Sequence, residues 1–486
     1  MKYTFFVFAS AVCLFISCKK SNGTSSSSNS NTDTSYNSLF IPPTLTGTNF
    51  NLTLSQSSKQ FFKTGSATTT YGYNGQSIWG PTLIMNKGDN VQINVNNQLA
   101  DTTTVHWHGF HVPAKMDGGP HQKIAPNATW SPNFTVMNNA ATYWYHPHLH
   151  EKTFQQLTMG AGGFIIVKDP IEAALNLPRT YGTDDIPLVL TSRRFNTDNS
   201  FDVSSHAYGD YELVNGTINP QVSLPKQYVR LRILNAETER AYNLGFSDNR
   251  TFYVIGNDGG LLSTPVLVTR LVIGVGERYE VLVNLGNDEV GSTVSLKAYN
   301  TNQAFGFPGA EPATSGEFGS LLNNADFQIL KIKITAATTG AITTLPTSLV
   351  SNTYWKATDA TSSISTAING GQGGSAFYFD NNYYNYNTIN QIIPLNSIIK
   401  WSFSGGNIFG HSIHIHDVQF NIVSRSSGTI APYEIGWKDT YFIHLGETVS
   451  VVAKFSDFSD TTSPFMYHCH FPNHEDGGLM GQFIVK

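Results

Sequence analysis

The chain has 486 residues, a formal net charge of −5 and 13% charged residues. This length suffices for two to four domains with a large buried core, and the mildly negative charge gives no sign of nucleic-acid binding. Gly, Thr, Asn, Val, Tyr and Phe are plentiful, which favours short strands and polar turns over helices and predicts an all-β protein. Strand-length apolar or alternating runs occur at Asn90–Asn96, Arg230–Leu234 and Thr448–Ala453.

The first element in chain order, residues 1–18, is predicted to be a signal segment. Lys2 precedes an apolar run from Phe5 to Ile16 that is too short to span a bilayer stably, and Cys18 follows Ser17. The pattern resembles a bacterial lipoprotein signal, in which the cysteine is lipidated and becomes the first mature residue. We therefore expect an exported protein, anchored by lipid in the periplasm or at the outer membrane or cell surface. Ordinary secretion with cleavage nearby is the alternative.

Residues 19–38 are mostly Ser, Asn, Thr and Gly, too polar to bury, and are predicted to be a flexible linker. Because Cys13 and Cys18 fall in the signal segment, Cys469 is the single thiol of the predicted folded part. An exported protein that keeps one unpaired thiol needs a reason to protect it, and metal ligation is such a reason.

Three domains are predicted after the linker, over residues 39–169, 170–340 and 341–486. The outer two contain four histidine clusters, which are His106-Trp-His108, His146-Pro-His148, His411-Ser-Ile-His414-Ile-His416 and His468-Cys469-His470-Phe-Pro-Asn-His474. Histidines two apart on a strand project to the same face, so each pair can bind one metal or bridge two. Imidazole suits copper, zinc, iron and nickel, and a set of two histidines and one cysteine is typical of blue-copper centres. The middle domain has no such cluster and is predicted to be a spacer.

The four clusters, in this order, resemble those of the multicopper oxidases, in the branch of copper-efflux oxidases, bacterial spore-coat laccases and bilirubin oxidases. The resemblance covers nearly everything after about residue 40. It also includes the motifs Asp117-Gly-Gly-Pro-His121, Tyr211-Glu-Leu-Val-Asn-Gly-Thr217, Arg230-Leu-Arg-Ile-Leu-Asn235, Asn257-Asp-Gly-Gly-Leu261 and Gly436-Trp-Lys-Asp-Thr440. It implies three consecutive cupredoxin-like domains, each a Greek-key β-sandwich or barrel.

The resemblance also implies four copper ions per chain, one of type 1, one of type 2 and a coupled type 3 pair. Type 1 copper would be bound by His411, Cys469 and His474, and type 2 copper by His106 and His414. The type 3 pair would take the remaining ligands, which are His108, His146, His148, His416, His468 and His470. Two acids, Asp117 and Glu475, match positions that the family uses to supply protons.

The implied function is that of a laccase-like oxidase, acting as a monomer. A small-molecule donor, phenolic or similar, would lose one electron at a time to type 1 copper, through an edge of His474 or His411 that faces solvent. O2 would be reduced by four electrons to water at the other three coppers. Two alternatives stay open, a cuprous-ion oxidase in copper tolerance and a non-catalytic cupredoxin scaffold in the cell envelope.

Three features bear on the substrate. Leu479 stands where bacterial relatives usually place an axial methionine ligand, and a shift of one residue would bring Met480 there instead. No methionine occurs between Met159 and Met466, which disfavours a Met-rich Cu(I) site. An aromatic run over residues 376–386 is predicted to form either a donor pocket or strand core.

Overall fold

The computed structural model describes residues 35–203, 208–372, 376–406 and 408–486, without the side chain of Glu317. The predicted signal segment with Cys18, and residues 19–34 of the predicted linker, lie outside the described residues. Within those residues, no helix has the length and apolar character needed to cross a membrane. Strands dominate the described residues and fall into three successive groups, so the all-β prediction is confirmed.

The first group forms two sheets, with strand orders β2-β5-β11-β10-β7 and β4-β3-β6-β8, and β9 pairs with β6. Alternation of apolar and polar residues gives each strand one buried side, as in β6, where Val91, Ile93 and Val95 are buried. The strands before residue 170 are β1 (Asn37–Ser38), which joins a sheet of the second group, and β2 (Thr44–Thr46), β3 (Asn49–Lys59), β4 (Thr68–Tyr73), β5 (Thr82–Asn86), β6 (Asn90–Asn97), β7 (His106–His108), β8 (Thr129–Trp130), β9 (Asn133–Thr135), β10 (Ala141–His146) and β11 (Gly163–Lys168). The helices are α1 (Thr153–Thr158), α2 (Pro170–Ala173) and a 3-10 turn at Ala114–Met116.

The second group also forms two sheets, with orders β1-β15-β23-β22-β17-β20 and β14-β13-β12-β16-β21-β18-β19. Its strands are β12 (Asp185–Arg193), β13 (Tyr211–Val214), β14 (Thr217–Ile218), β15 (Pro220–Pro225), β16 (Tyr228–Asn235), β17 (Tyr242–Phe246), β18 (Phe252–Asn257), β19 (Gly260–Val268), β20 (Leu271–Ile273), β21 (Arg278–Asn284), β22 (Thr293–Tyr299) and β23 (Asp326–Thr335). A 3-10 helix covers Gly316–Phe318. The strand β1 lies within the predicted linker. It runs parallel to β15 and pairs with the backbone hydrogen-bonding groups on the outer edge of that strand.

The third group has sheets of order β25-β24-β27-β31-β29 and β26-β33-β32-β28-β30. Its strands are β24 (Ser362–Gly370), β25 (Phe377–Phe379), β26 (Gln391–Ile393), β27 (Ile398–Ser404), β28 (His411–Ile415), β29 (Phe420–Arg425), β30 (Thr440–Ile443), β31 (Thr448–Lys454), β32 (Asp460–Cys469) and β33 (Met480–Val485). The helices are α3 (Pro472–Asp476) and 3-10 turns at Ala357–Asp359 and Pro432–Glu434.

Each group encloses its own apolar core between its two sheets. In the first core, Leu52 of β3 packs with Leu83 of β5. The middle core brings Leu231 and Leu296 together, and the third contains Trp401 and Phe483. The described chain therefore forms three successive β-sandwiches, and the metal-binding motifs lie in the first and third.

Candidate metal centres

Strand pairing brings the histidine clusters of each outer sandwich together. In the first, β7 and β10 are antiparallel, and His106 lies opposite His146. In the third, β28 and β32 are antiparallel, and His414 lies opposite His468. Residues directly opposite each other on paired strands have side chains on the same side of the sheet, so each sandwich presents a group of imidazoles on one side.

Imidazoles from the two sandwiches meet in three fully buried groups. In one group the Nε2 atoms of His148, His416 and His468 lie 3.1–3.2 Å apart. In the second group, His108 Nδ1 lies 3.3 Å from His146 Nε2 and 3.1 Å from His470 Nε2.

The third group is a pair, with His106 Nε2 3.4 Å from His414 Nε2. All eight rings are no more than 1% exposed. The eight histidines of this cluster, hereafter the histidine cluster, include every residue that was predicted to bind type 2 or type 3 copper.

The donor chemistry of the histidine cluster fits metal cations. Two outward nitrogens face hydrogen-bond acceptors at short distance: His416 Nδ1 lies 2.7 Å from Asp117 Oδ2, and the carbonyl of Asp439 accepts from His414 Nδ1 at 2.7 Å. A neutral imidazole with its proton on the outward nitrogen directs a lone pair inward. Several lone pairs therefore face one another without a proton between them, and cations would satisfy them.

Burial favours the neutral form of seven of these rings, the form that metal ligation requires. Desolvation, reinforced by neighbouring histidines, lowers the pKa of His106, His108, His414, His416 and His470 well below its ordinary value. It lowers the pKa of His146 to about 3. Desolvation also outweighs the opposing charge of Glu475 and lowers the pKa of His468 to about 4.

A second centre, hereafter the Cys469 centre, lies in the third sandwich. Cys469 Sγ is 3.6 Å from both His411 Nδ1 and His474 Nδ1. Burial raises the pKa of the thiol, and a soft metal ion bound to the sulfur would offset that by favouring the thiolate. Two histidines and one cysteine form the ligand set of blue-copper centres.

Strand register also places the candidates for the axial position. Met480 of β33 lies opposite His468 of β32, so its side chain is on the side of the histidine cluster. Cys469 is the next residue along and points to the other side. Leu479 precedes Met480, is fully buried and packs in the same apolar cluster as Cys469. Leucine, which cannot coordinate, therefore faces the Cys469 centre.

Aromatic rings cover the Cys469 centre. Phe377 lies 4.9 Å from the His411 ring and 4.5 Å from the His474 ring, measured between ring centroids. Phe377 and Phe379 of the aromatic run are buried in β25, whereas Tyr383 and Tyr386 are 52% and 39% exposed. The run therefore provides strand core at its start and surface tyrosines at its end. Of the two histidine ligands, His474 is 8% exposed and His411 is fully buried.

Asp117 and Glu475 both contact histidines of the cluster from outside. Asp117 Oδ2 lies 2.7 Å from His416 Nδ1, and burial, reinforced by Asp417, raises the pKa of Asp117 well above its ordinary value. Glu475 lies 3.0 Å from His148 Nδ1 and 3.3 Å from His468 Nδ1. Burial raises the pKa of Glu475, but its contacts with His148 and His468 outweigh burial and lower that pKa. A metal bound at the Nε2 atoms of these rings would place positive charge beside the carboxylate and favour its ionised form.

The middle sandwich, which was predicted to be a spacer, also contacts the histidine cluster. A Cβ atom added at Gly276 would lie 2.8 Å from the His470 ring, closer than atoms normally approach. Arg278, two residues later, pairs with Asp439, which lies 3.0 Å from His108 Nε2. Two features of the sequence could have indicated this contact. They are the Gly436-Trp-Lys-Asp-Thr440 motif and the charged residues Arg278 and Glu280 in an otherwise apolar strand.

Three family models described as multicopper oxidase match the chain, over residues 55–172, 176–303 and 351–486. The multicopper oxidase mco of Staphylococcus haemolyticus is 30% identical over 90% of this chain and 88% of its own length. The cell division protein FtsP of Escherichia coli is also 30% identical, over 87% of each chain.

The solved structures include a close match to the whole fold. A laccase-like multicopper oxidase, CueO, from the lignin-degrading bacterium Ochrobactrum sp. superposes with a TM-score of 0.82 at 29% identity. The match covers 92% of this chain and all of that chain, and that protein is described as having oxidase activity towards lignin model compounds and lignosulfonate. The three sandwiches thus have the cupredoxin-like fold of these proteins.

Proposed function

The chain belongs to the multicopper oxidase family, and from that premise we propose that it is a laccase-like oxidase. It would take single electrons from phenolic or similar donors at the Cys469 centre and pass them to O2 at the histidine cluster. The observation that carries this proposal is the complete donor set. All ten histidines and the cysteine are present and lie in four groups of converging ligand atoms.

The donor set favours an enzyme over a scaffold. FtsP and mco are equally similar to this chain, so the sequence comparisons do not separate a cell-division role from an oxidase role. A scaffold that binds no copper would have no need to keep every ligand. Here each predicted ligand is buried and directed at a partner ligand. This arrangement removes many polar groups from water, and binding cations would offset that free-energy cost.

Covalent connection between the two centres supports electron transfer. His468, Cys469 and His470 are consecutive, and the outer two belong to different groups of the histidine cluster. Because the three residues are consecutive, a short bonded path joins the thiolate to both histidine groups. Bound copper would supply the one-electron chemistry at Cys469 and the reduction of O2 at the histidines.

The chain's own residues would control electron and proton entry. Because His474 is 8% exposed and His411 is fully buried, the edge of His474 would be the point of donor contact. Asp117 and Glu475 lie against the outward side of the histidine cluster and would hold and deliver protons there. Phe377 and the other aromatic rings would keep water from the Cys469 centre.

Organic donors are favoured over Cu(I) by the side chains near this entry point. The chain has no methionine between Met159 and Met466, so it lacks the soft thioether ligands that gather Cu(I). Leucine at position 479 would leave the type 1 copper without an axial donor, and its potential should be high. The activity described for the Ochrobactrum relative, towards lignin model compounds, is consistent with aromatic donors.

Copper content and O2 uptake test this function together. The purified holoprotein should be blue, contain about four coppers per chain and consume O2 with phenols or aromatic amines faster than with Cu(I). The Cys469→Ser variant is the control, because it should lose both colour and uptake. A protein that binds no copper, or binds copper and consumes no O2, would support the scaffold alternative. Preferential uptake with Cu(I) would support the cuprous oxidase.

We also propose that the protein is exported and anchored by lipid at Cys18, in the periplasm or at the outer membrane or cell surface. The support is sequence pattern alone, the apolar run followed by Ser17 and Cys18. Fractionation and labelling with a radioactive fatty acid in the native host would test it. Wild-type protein should be labelled and membrane-bound, whereas the Cys18→Ser variant should not be labelled. Unlabelled, soluble wild-type protein would indicate ordinary secretion.

A further inference from the structure

We infer that Arg278 of the middle sandwich is a positioning residue for the histidine cluster. Through Asp439 it holds the His108 ring in the orientation that directs Nδ1, and not Nε2, at the metal. This inference rests on the proposed copper cluster, because it concerns the residues that present one of its ligands.

His108 is oriented differently from its neighbours. The other seven rings direct Nε2 into the cluster, whereas His108 directs Nδ1, which lies 3.1 Å from His470 Nε2. A ring in this orientation needs an acceptor for the proton on Nε2. Asp439 Oδ1 lies 3.0 Å from that atom, and so does Thr440 Oγ1, whose hydroxyl donates to the same oxygen of Asp439 at 2.9 Å. With the proton held there, the lone pair of Nδ1 is free to coordinate.

Arg278 holds Asp439 in a two-pronged pair. Its Nη1 and Nη2 atoms each donate to one carboxylate oxygen of Asp439 at 2.6 Å, and both side chains are fully buried. A planar guanidinium fixes the orientation of a carboxylate in a way that a lysine ammonium cannot. The plane of the Asp439 carboxylate, and with it the position of the acceptor for His108, is therefore set by Arg278.

The remaining N–H groups of Arg278 are fixed as well. Nε donates to the carbonyl of Thr142 in the first sandwich at 3.1 Å. Nη1 and Nη2 donate to the carbonyls of Gly276 and Asp258 in the middle sandwich, at 3.1 and 3.0 Å. All five donors of the guanidinium are thus satisfied, and one side chain connects all three sandwiches beside the histidine cluster.

The backbone next to His108 packs closely against the Arg278–Asp439 pair. Gly109 has φ +86°, and a Cβ atom there would clash with Asp439 Oδ2 and lie 2.9 Å from Arg278 Nη2. A side chain at this position would displace the pair. The residue that follows His108 is therefore packed against the two side chains that orient it.

The test compares Asp439→Asn with Asp258→Asn. The first replacement turns an amide N–H towards Arg278 and breaks the two-pronged pair. Asp258 is a matched control because it is equally buried, lies 3.6 Å from Arg278 Nη1 and 2.9 Å from Lys438 Nζ, and contacts no histidine of the cluster in the described structure. Arg278→Lys is a second test variant, which keeps the positive charge but loses the planar guanidinium that donates to both oxygens of the Asp439 carboxylate.

Three readings are taken on each copper-loaded protein: the blue band, copper affinity measured by competition with a chelator, and the electron-paramagnetic-resonance spin count. We expect Asp439→Asn and Arg278→Lys to stay blue but to lose about 10- to 100-fold in affinity for copper at the coupled pair, the range typical of lost outer-sphere partners. Uncoupled Cu(II) should add to their spin count. Asp258→Asn should keep the wild-type affinity and spin count.

The inference would be overturned if Asp439→Asn kept the wild-type affinity and spin count, or if Asp258→Asn lost as much as Asp439→Asn. If Asp439→Asn failed to fold, Arg278→Lys would decide by the same readings. Loss of the blue band in both test variants would also count against the inference, since a folding role would then account for the pair. Failure of the proposed function is distinguishable, because it would appear in the wild-type protein as missing copper or missing O2 uptake.

Discussion

Replacing Leu479 by methionine tests the environment of the Cys469 centre most directly. Leu479 is fully buried in the same apolar cluster as Cys469, and its carbonyl accepts from the Cys469 N–H at 3.1 Å. Methionine is close to leucine in volume, so the exchange should cost less than about 1.5 kcal/mol and leave the fold intact. A thioether beside the copper stabilises Cu(II) relative to Cu(I). For a one-electron couple, about 1.4 kcal/mol of such preference lowers the potential by about 59 mV, and a weak axial donor should contribute on that order.

Redox titration of the blue band measures this shift. The matched control is Met480→Leu, the reverse exchange at the next position, and it should leave the potential unchanged because Met480 lies opposite His468. Leu479→Met should also slow the oxidation of donors that are hard to oxidise. An unchanged potential in Leu479→Met together with a rise in Met480→Leu would refute the register argument and place Met480 at the copper.

Three further substitutions separate the roles of the two centres. Cys469→Ser should abolish the blue band and O2 uptake together, and turnover that survived without colour would show that electrons enter elsewhere. His414→Gln should disrupt the histidine cluster and stop O2 reduction, while the Cys469 centre stays blue and reducible in a donor titration; water production at the wild-type rate would contradict the assignment. Asp117→Asn and Glu475→Gln should slow reoxidation by O2 more than reduction by donor in stopped-flow traces. Unchanged reoxidation in both would leave these acids with structural roles only.

The histidine clusters could be recognised in the sequence because each motif is short, whereas the assignment of each histidine to a copper came from the resemblance to the family. Alternation along a strand fixes which side His468 and His470 share, and no knowledge of distant contacts is needed. The partner strands then follow from the pairing of His106 with His146 and of His414 with His468. Local spacing thus identified the candidate ligands, and the resemblance to the family divided them between the two centres.

The choice between Leu479 and Met480 could not be made from sequence, because it depends on the register between β32 and β33. A shift of one residue reverses the side to which every side chain points. The roles of Gly276 and Arg278 were missed for a related reason. They act across sandwich boundaries, on His470 and on Asp439, and no local pattern specifies such contacts.

The pairing of β1 with β15 has a consequence for the order of events during synthesis. The Asn37 side chain donates to the carbonyl of Ile218, 181 residues later, and the Asn37–Pro220 pair lies beside it. At ribosomal rates of about 5–20 residues per second, roughly 10–40 s pass before this partner emerges. The first sandwich can fold in that interval, whereas β1, which precedes it in the chain, can pair only after β15 of the second sandwich has been synthesised. One edge of the middle sandwich is therefore completed by residues that are synthesised before the first sandwich.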